Sequence, residues 1–116
     1  MTNEQIDELL EEIGRAPFLT REDELALLKA VKEKGTDCDE MKQLEKANMR
    51  FVVSLVSQYQ HRGLTLEELI EVGKASLRNA AESYDLDSDS KFIAYAVPQM
   101  RRSLEELITL NCDKDE

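Results

Sequence analysis

The stretch MKQLEKANMRFVVSLVSQY, residues 41–59, decides the fold. Met41, Leu44, Asn48, Phe51, Leu55 and Tyr59 recur every three or four residues, and Val52 and Val56 widen the stripe. That period belongs to a helix with one face turned to a core, and no strand keeps it. Asn48 is the polar member of the stripe. It either finds hydrogen-bond partners inside or marks the stripe's edge.

Working outward, the same pattern repeats on both sides. The helix is expected from about Cys38 to about Gln60, and Arg62-Gly63 ends it. Upstream, Thr20 with Asp23 has capping-box spacing; Leu25, Leu28 and Val31 follow on one face, and Gly35 stops them. A first helix is expected from Thr2 through Ile6, Leu9, Leu10 and Ile13, broken by Gly14 and Pro17. Downstream, Thr65 and Glu68 form another capping box. Leu66, Leu69, Ile70, Gly73, Leu77, Ala80 and Tyr84 follow. Gly73 inside a helix costs about 1 kcal/mol relative to Ala, which points to close helix packing there. The polar loop 85–90 leads into a final helix, which the last residues of the loop can cap. This helix carries Phe92, Tyr95, Ala96, Met100, Leu104, Leu107 and Ile108. The expectation is an all-α protein, a compact bundle of about five helices. One domain covers 1–110, and 111–116 forms a frayed acidic tail.

Composition agrees and excludes several functions. With 41% hydrophobic and 34% charged residues, the 116-residue chain can build one core. Four Gly, two Pro and six aromatics give few turn and strand formers. No apolar run reaches the length of a membrane span, and Met1 to Glu12 is acidic, unlike a secretion signal. Cys38 and Cys112 stand apart without metal-ligand spacing and are expected as free thiols in the cytoplasm. His61 is the only histidine, at the end of a helix, where a surface or capping role is expected. No HExxH, phosphate-binding Gly loop or nucleophile elbow is present, so neither an enzyme nor a cofactor, metal or small-molecule substrate is expected. A net charge of −10 speaks against general nucleic-acid binding and suits a basic protein partner.

Three segments, in order, then give the chain a resemblance. Ile13-Gly14-Arg15-Ala16-Pro17-Phe18-Leu19-Thr20 resembles an I-G-R-x-P-L-L-T element. Ala47-Asn48-Met49-Arg50-Phe51-Val52-Val53-Ser54, with Tyr59 and Arg62-Gly63-Leu64, is similar to A-N-L-R-L-V-V-S…Y…R-G-L. Leu69-Ile70-Glu71-Val72-Gly73, continuing to Tyr84-Asp85 and Lys91-Phe92-Ile93-Ala94-Tyr95-Ala96, resembles D-L-I-Q-E-G…F-D…F-K-F-S-T-Y-A. All three belong to the primary bacterial RNA polymerase sigma factor family, in its core-binding and promoter-melting segment: region 2 and the preceding region 1.2. The resemblance covers about residues 7 to 110.

This resemblance implies that the helix after Thr65 docks on a coiled coil in the largest subunit of core RNA polymerase. The docking residues would be Glu68, Leu69, Ile70, Glu71 and Lys74, with Val72 replacing a family acid. It implies weakened promoter contact through Lys91, Phe92, Tyr95, Gln99, Arg101 and Arg102. There the chain departs most from the family. Pro98-Gln99 stands where the family has a Trp-Trp pair; Arg102 and Glu105 replace a base-reading Gln and Thr; Glu106 replaces a basic residue. From Asp85 to Glu116, eight acids face four basic residues. Pro98 should cost about 3 kcal/mol or kink its helix. Compared with the family, the chain stops short of the domains that contact the upstream promoter, so no such contact is expected. Three readings are open. One is a sigma-like transcription protein that docks on core polymerase. The second is a mimic or regulator that binds no DNA and competes with sigma or captures a sigma-holding protein. The third is an orphaned bundle without polymerase contact.

Overall fold

The computed structural model describes residues 19–114, the last four by backbone alone, together with Glu4, Glu8 and Glu11. The described residues form four α-helices and one 3-10 turn, and no strand: α1 (Arg21–Lys34), α2 (Asp39–Val56), the turn Ser57–Tyr59, α3 (Leu66–Ser83) and α4 (Phe92–Lys114). The all-helical expectation holds. The first expected helix, Thr2 to Ile13, lies outside the described residues, apart from the three glutamates.

Local chemistry sets the boundaries. Thr20 accepts from the Asp23 amide at 3.1 Å while Asp23 accepts from the Thr20 amide, so the expected capping box is complete. Gly35 ends α1 with φ of 90°, which glycine reaches without steric penalty. α2 ends four residues earlier than the stripe suggested. The 3-10 turn then carries Tyr59 inward, where it stays buried. His61, with φ of 67°, and Gly63, with φ of 101°, turn the exposed chain toward α3. Thr65 accepts from the Glu68 amide at 3.1 Å and starts that helix.

The core lies where the four apolar faces meet. Leu28 and Val31 come from α1, Leu44, Val52 and Val56 from α2, Leu69, Leu77 and Ala80 from α3, and Phe92, Met100 and Leu104 from α4. Asn48 is buried and satisfied: its amide Nδ2 donates to the Leu44 carbonyl at 2.8 Å. Phe51, read as part of the buried stripe, is instead 43% exposed, and Met49 takes an inward place. Pro98 sits inside α4 without ending it. Pro98 and Ala94, whose carbonyl loses its partner, are both exposed, so water can replace the lost bond. α4 runs to Lys114, so the backbone of the acidic tail is helical that far. Cys38 is a half-buried free thiol that donates to the Gly35 carbonyl at 3.2 Å.

Side-chain bonds clamp the helices across their surfaces. Arg78 of α3 meets Glu45 of α2 at 2.7 Å. Lys32 of α1 donates to the Glu82 carbonyl of α3 at 3.0 Å. No helix of the described residues is long and apolar enough to cross a membrane.

The closest approach is at Gly73. A Cβ there would stand 2.6 Å from Val52 Cγ1, 3.5 Å from Val56 Cγ1 and 3.8 Å from Met100 Sδ. The close packing expected from the sequence is therefore present, and a branched, buried valine has little room to yield. Gly73→Ala should lower stability by about 1–3 kcal/mol in urea unfolding, despite the better helix propensity of Ala. The same change in a Val52→Ala background should cost clearly less. Equal losses in both backgrounds would show that the contact does not limit packing.

Candidate functional site

Two faces carry the residues singled out from the sequence. The first is the outer side of α3. Glu68 and Glu71 are exposed, Lys74 and Val72 are half-buried, and Lys74 lies 4.0 Å from Glu71. Leu69 and Ile70 are 0% and 3% exposed. Helical periodicity turns both inward, so they pack behind the exposed Glu68 and Glu71. Beside this face runs a groove of about 810 Å³ between the start of α3 and the end of α4. Its apolar part is Leu64, Leu107 and Leu110.

The second face lies along α4 and the corner before it. Arg21 holds this corner. Its guanidinium donates to the Tyr84 hydroxyl and to the Ser88 carbonyl, each at 2.8 Å, and to Glu24 at 2.9 Å. The bond to Tyr84, with Glu24 adding to it, raises the Arg21 pKa above its ordinary range, so its charge is permanent. Tyr84 in turn donates to the Ser90 carbonyl. The loop 85–90 is thus tied at both ends to one buried tyrosine.

That corner delivers Phe92 into the core at 0% exposure, edge-on to Tyr84 at 5.8 Å between ring centroids. As the ring stands, with no accessible surface, a base does not reach Phe92. Tyr95 is half-buried. It packs edge-on to Tyr84 at 5.5 Å, and its hydroxyl bonds Ser83 Oγ at 2.8 Å. Lys91, Arg101 and Arg102 are exposed and Gln99 is half-buried. Arg101 donates to the Tyr59 hydroxyl at 3.3 Å and to Gln58 at 3.5 Å, while Arg62 lies over the Tyr59 ring at 5.7 Å. Two guanidinium groups therefore share one tyrosine on this side of the molecule.

The sequence reading missed Arg62 and the exposed ring of Phe51. Phe51, Asn48 and Ala47 of α2 line a hollow of about 340 Å³ that Ile93 of α4, Lys91 just before it, Arg21 and Glu24 of α1 and Leu19 just before that helix close. An exposed aromatic ring beside a lysine suits an unstacked nucleobase and its phosphate. The only available signal was the phenylalanine standing where the resembled element has a leucine. Among the described residues, no three His, Cys, Asp or Glu side chains gather as metal ligands would.

A family model described as Sigma-70 region 2 matches residues 44–109. Three curated relatives, each called RNA polymerase sigma factor SigA, illustrate the similarity. The one from Listeria monocytogenes is 36% identical over 106 residues, covering 91% of this chain and 28% of the relative. That from Clostridium acetobutylicum is 35% identical over 99 residues, 85% of this chain and 26% of the relative. That from Lactococcus lactis subsp. lactis is 34% identical over 113 residues, 93% of this chain and 29% of the relative. The chain thus spans less than a third of the length of the curated relatives it matches.

The two rings of α4 should behave as parts of the fold. Phe92→Ala should destabilise by about 3–5 kcal/mol in chemical denaturation, as core aromatics do. Tyr95→Phe, which keeps the ring and loses a hydrogen bond, should cost about 1 kcal/mol. A Phe92→Ala variant as stable as the parent would contradict the burial of this ring.

Proposed function

Because this chain belongs to the sigma-70 region 2 family, we propose that it acts in bacterial transcription initiation in the cytoplasm by docking on core RNA polymerase. The docking surface is the outer face of α3. Glu68 and Glu71 provide charge, Lys74 flanks them, and Leu69 and Ile70 hold the helix from within. The partner element is the coiled coil of the polymerase's largest subunit. The observation that carries the reading is the family match across α2, α3 and α4, joined to the exposed acids of α3.

Promoter contact is weakened in this proposal and shifted from the family's aromatics. Phe92 is unavailable, Tyr95 is held by Ser83, and no indole stands at 98–99. What supports a residual contact with a single strand is the hollow at Phe51 and Lys91, with Gln99 and the cations Arg101 and Arg102 further along α4. The buried Phe92 and the three acids of the loop 85–90 favour a second reading, in which the chain occupies the sigma site on polymerase, or binds a sigma-holding protein, without touching DNA.

Competition binding tests the docking. The chain should bind purified core polymerase, a housekeeping sigma factor should displace it, and Glu68→Lys with Glu71→Lys should weaken it by about tenfold or more. Undiminished binding by the double variant would overturn the assigned face, and absence of binding would overturn the function. Fluorescence anisotropy with single-stranded promoter DNA at physiological salt separates the two readings. Binding that Phe51→Ala abolishes supports the first, and no binding supports the second.

A further inference from the structure

Of the two aromatic rings of α4, Phe92 is buried and Tyr95 reaches solvent, yet Tyr95 is tied down. Its hydroxyl lies 2.8 Å from Ser83 Oγ and 3.4 Å from the Ser83 carbonyl, at the last residue of α3. Ser83 Oγ donates back to its own helix, to the Asn79 carbonyl at 3.2 Å. A hydroxyl has one hydrogen, so towards Tyr95 the serine accepts and the tyrosine donates. The ring leans edge-on against Tyr84, which Arg21 and Ser90 hold in place. Ser83 is exposed, so the bond that restrains Tyr95 faces water. The surroundings of the ring also bear on its use. The Tyr95 amide donates to the Lys91 carbonyl at 3.2 Å, which puts Lys91 in the helical register of α4. Lys91, Tyr95, Gln99 and Arg102 then follow one another along one side of that helix. No acid stands between Asp89 and Glu105. A ring with a cation on either side and an amide beside it suits an unstacked base and its phosphates.

We infer that Ser83 is the catch of a latch: it holds Tyr95 against the end of α3 and keeps the ring from stacking on a base of a single strand. A strand that uses this ring binds the fraction of molecules in which the catch is open, and its apparent affinity falls by that fraction. One hydrogen bond is a catch of suitable strength. Its net worth is comparable to that of one stacked base, so a strand can exchange the one for the other. Opening leaves the core untouched, because Tyr84 and Phe92 keep their own partners. The inference rests on the reading in which the chain keeps a residual contact with a single strand, and it adds what regulates that contact.

The test uses the full chain and a fluorescein-labelled single-stranded DNA of about twelve nucleotides, followed by anisotropy at physiological salt. Ser83→Ala and Tyr95→Phe remove the same bond from its two ends, and both keep the ring. Each should bind the strand about fivefold more tightly than the parent, the effect of releasing one hydrogen bond. The double variant should bind no more tightly than either single one, because the bond can be lost once. Release is also read without DNA. The chain has no Trp, and Tyr59 and Tyr84 are 5% and 1% exposed, so quenching of the tyrosine emission by acrylamide reports on Tyr95. Quenching should be steeper in Ser83→Ala than in the parent. Unchanged quenching, or parent-like affinity in both single variants, would overturn the latch. Absence of binding by the parent and every variant is a different result: it overturns the residual contact itself, and the latch falls with it.

Discussion

The contact on which the molecule depends most is the crossing of α3 over α2 at Gly73. With no side chain there, the Val52 methyl comes within 2.6 Å of where a Cβ would stand. Close-packed helices gain many small dispersion contacts at such a point, and the interior cannot absorb an extra methyl without displacement. Met100 approaches the same position from α4, so one missing side chain fixes the mutual placement of three helices. The rotation of α3 about its axis is set by the same contact. With Gly73, Leu69 and Ile70 inward, Glu68 and Glu71 must point out. The acidic face is a consequence of the packing.

A second constraint acts at the other end of the bundle. α1 and the loop before α4 are held together by Arg21, Tyr84 and the carbonyls of Ser88 and Ser90. A permanently charged guanidinium bonded to a buried hydroxyl and a carbonyl makes a stiff joint, because charged hydrogen bonds are stronger than neutral ones. The joint sets where α4 begins. Phe92 enters the core as the first residue of that helix, and Lys91, one step earlier, is left on the surface beside Phe51. The aromatic that the family pattern singles out is thus committed to folding, and an aromatic on a different helix is left open to solvent.

The helices were legible in the sequence because their signals are local. Thr20 and Asp23 announce a start, Gly35 a stop, and the stripe from Met41 to Tyr59 a buried face. Each depends on residues within one or two turns. Gly73 was legible as a packing site because a mid-helix glycine is costly without a reason. The contact surfaces were less legible. Periodicity gives a face and not its edge, so Phe51 counted as core although its ring lies at the margin between α1, α2 and α4. Leu69 and Ile70 lay within a recognised element, and recognition of a segment does not separate the residues that touch a partner from those that hold them in place. The cation pair around Tyr59 joins residues about forty positions apart, and such pairings come from tertiary structure alone.

Charge distribution links these features to function. Acids are spread over all four helices, and three more, Asp85, Asp87 and Asp89, crowd the loop 85–90. Lys91 and Arg21 line the Phe51 hollow, Arg21 is engaged with Tyr84, Ser88 and Glu24, and Arg101 is engaged with Tyr59 and Gln58. Each phosphate neutralised by a fixed cation adds to affinity through counterion release, and each neighbouring carboxylate subtracts from it. Few cations set beside Asp85, Asp87 and Asp89 give a surface that cannot hold a nucleic acid by charge alone. A net charge of −10 and the loop acids therefore oppose a phosphate backbone along this side of the molecule.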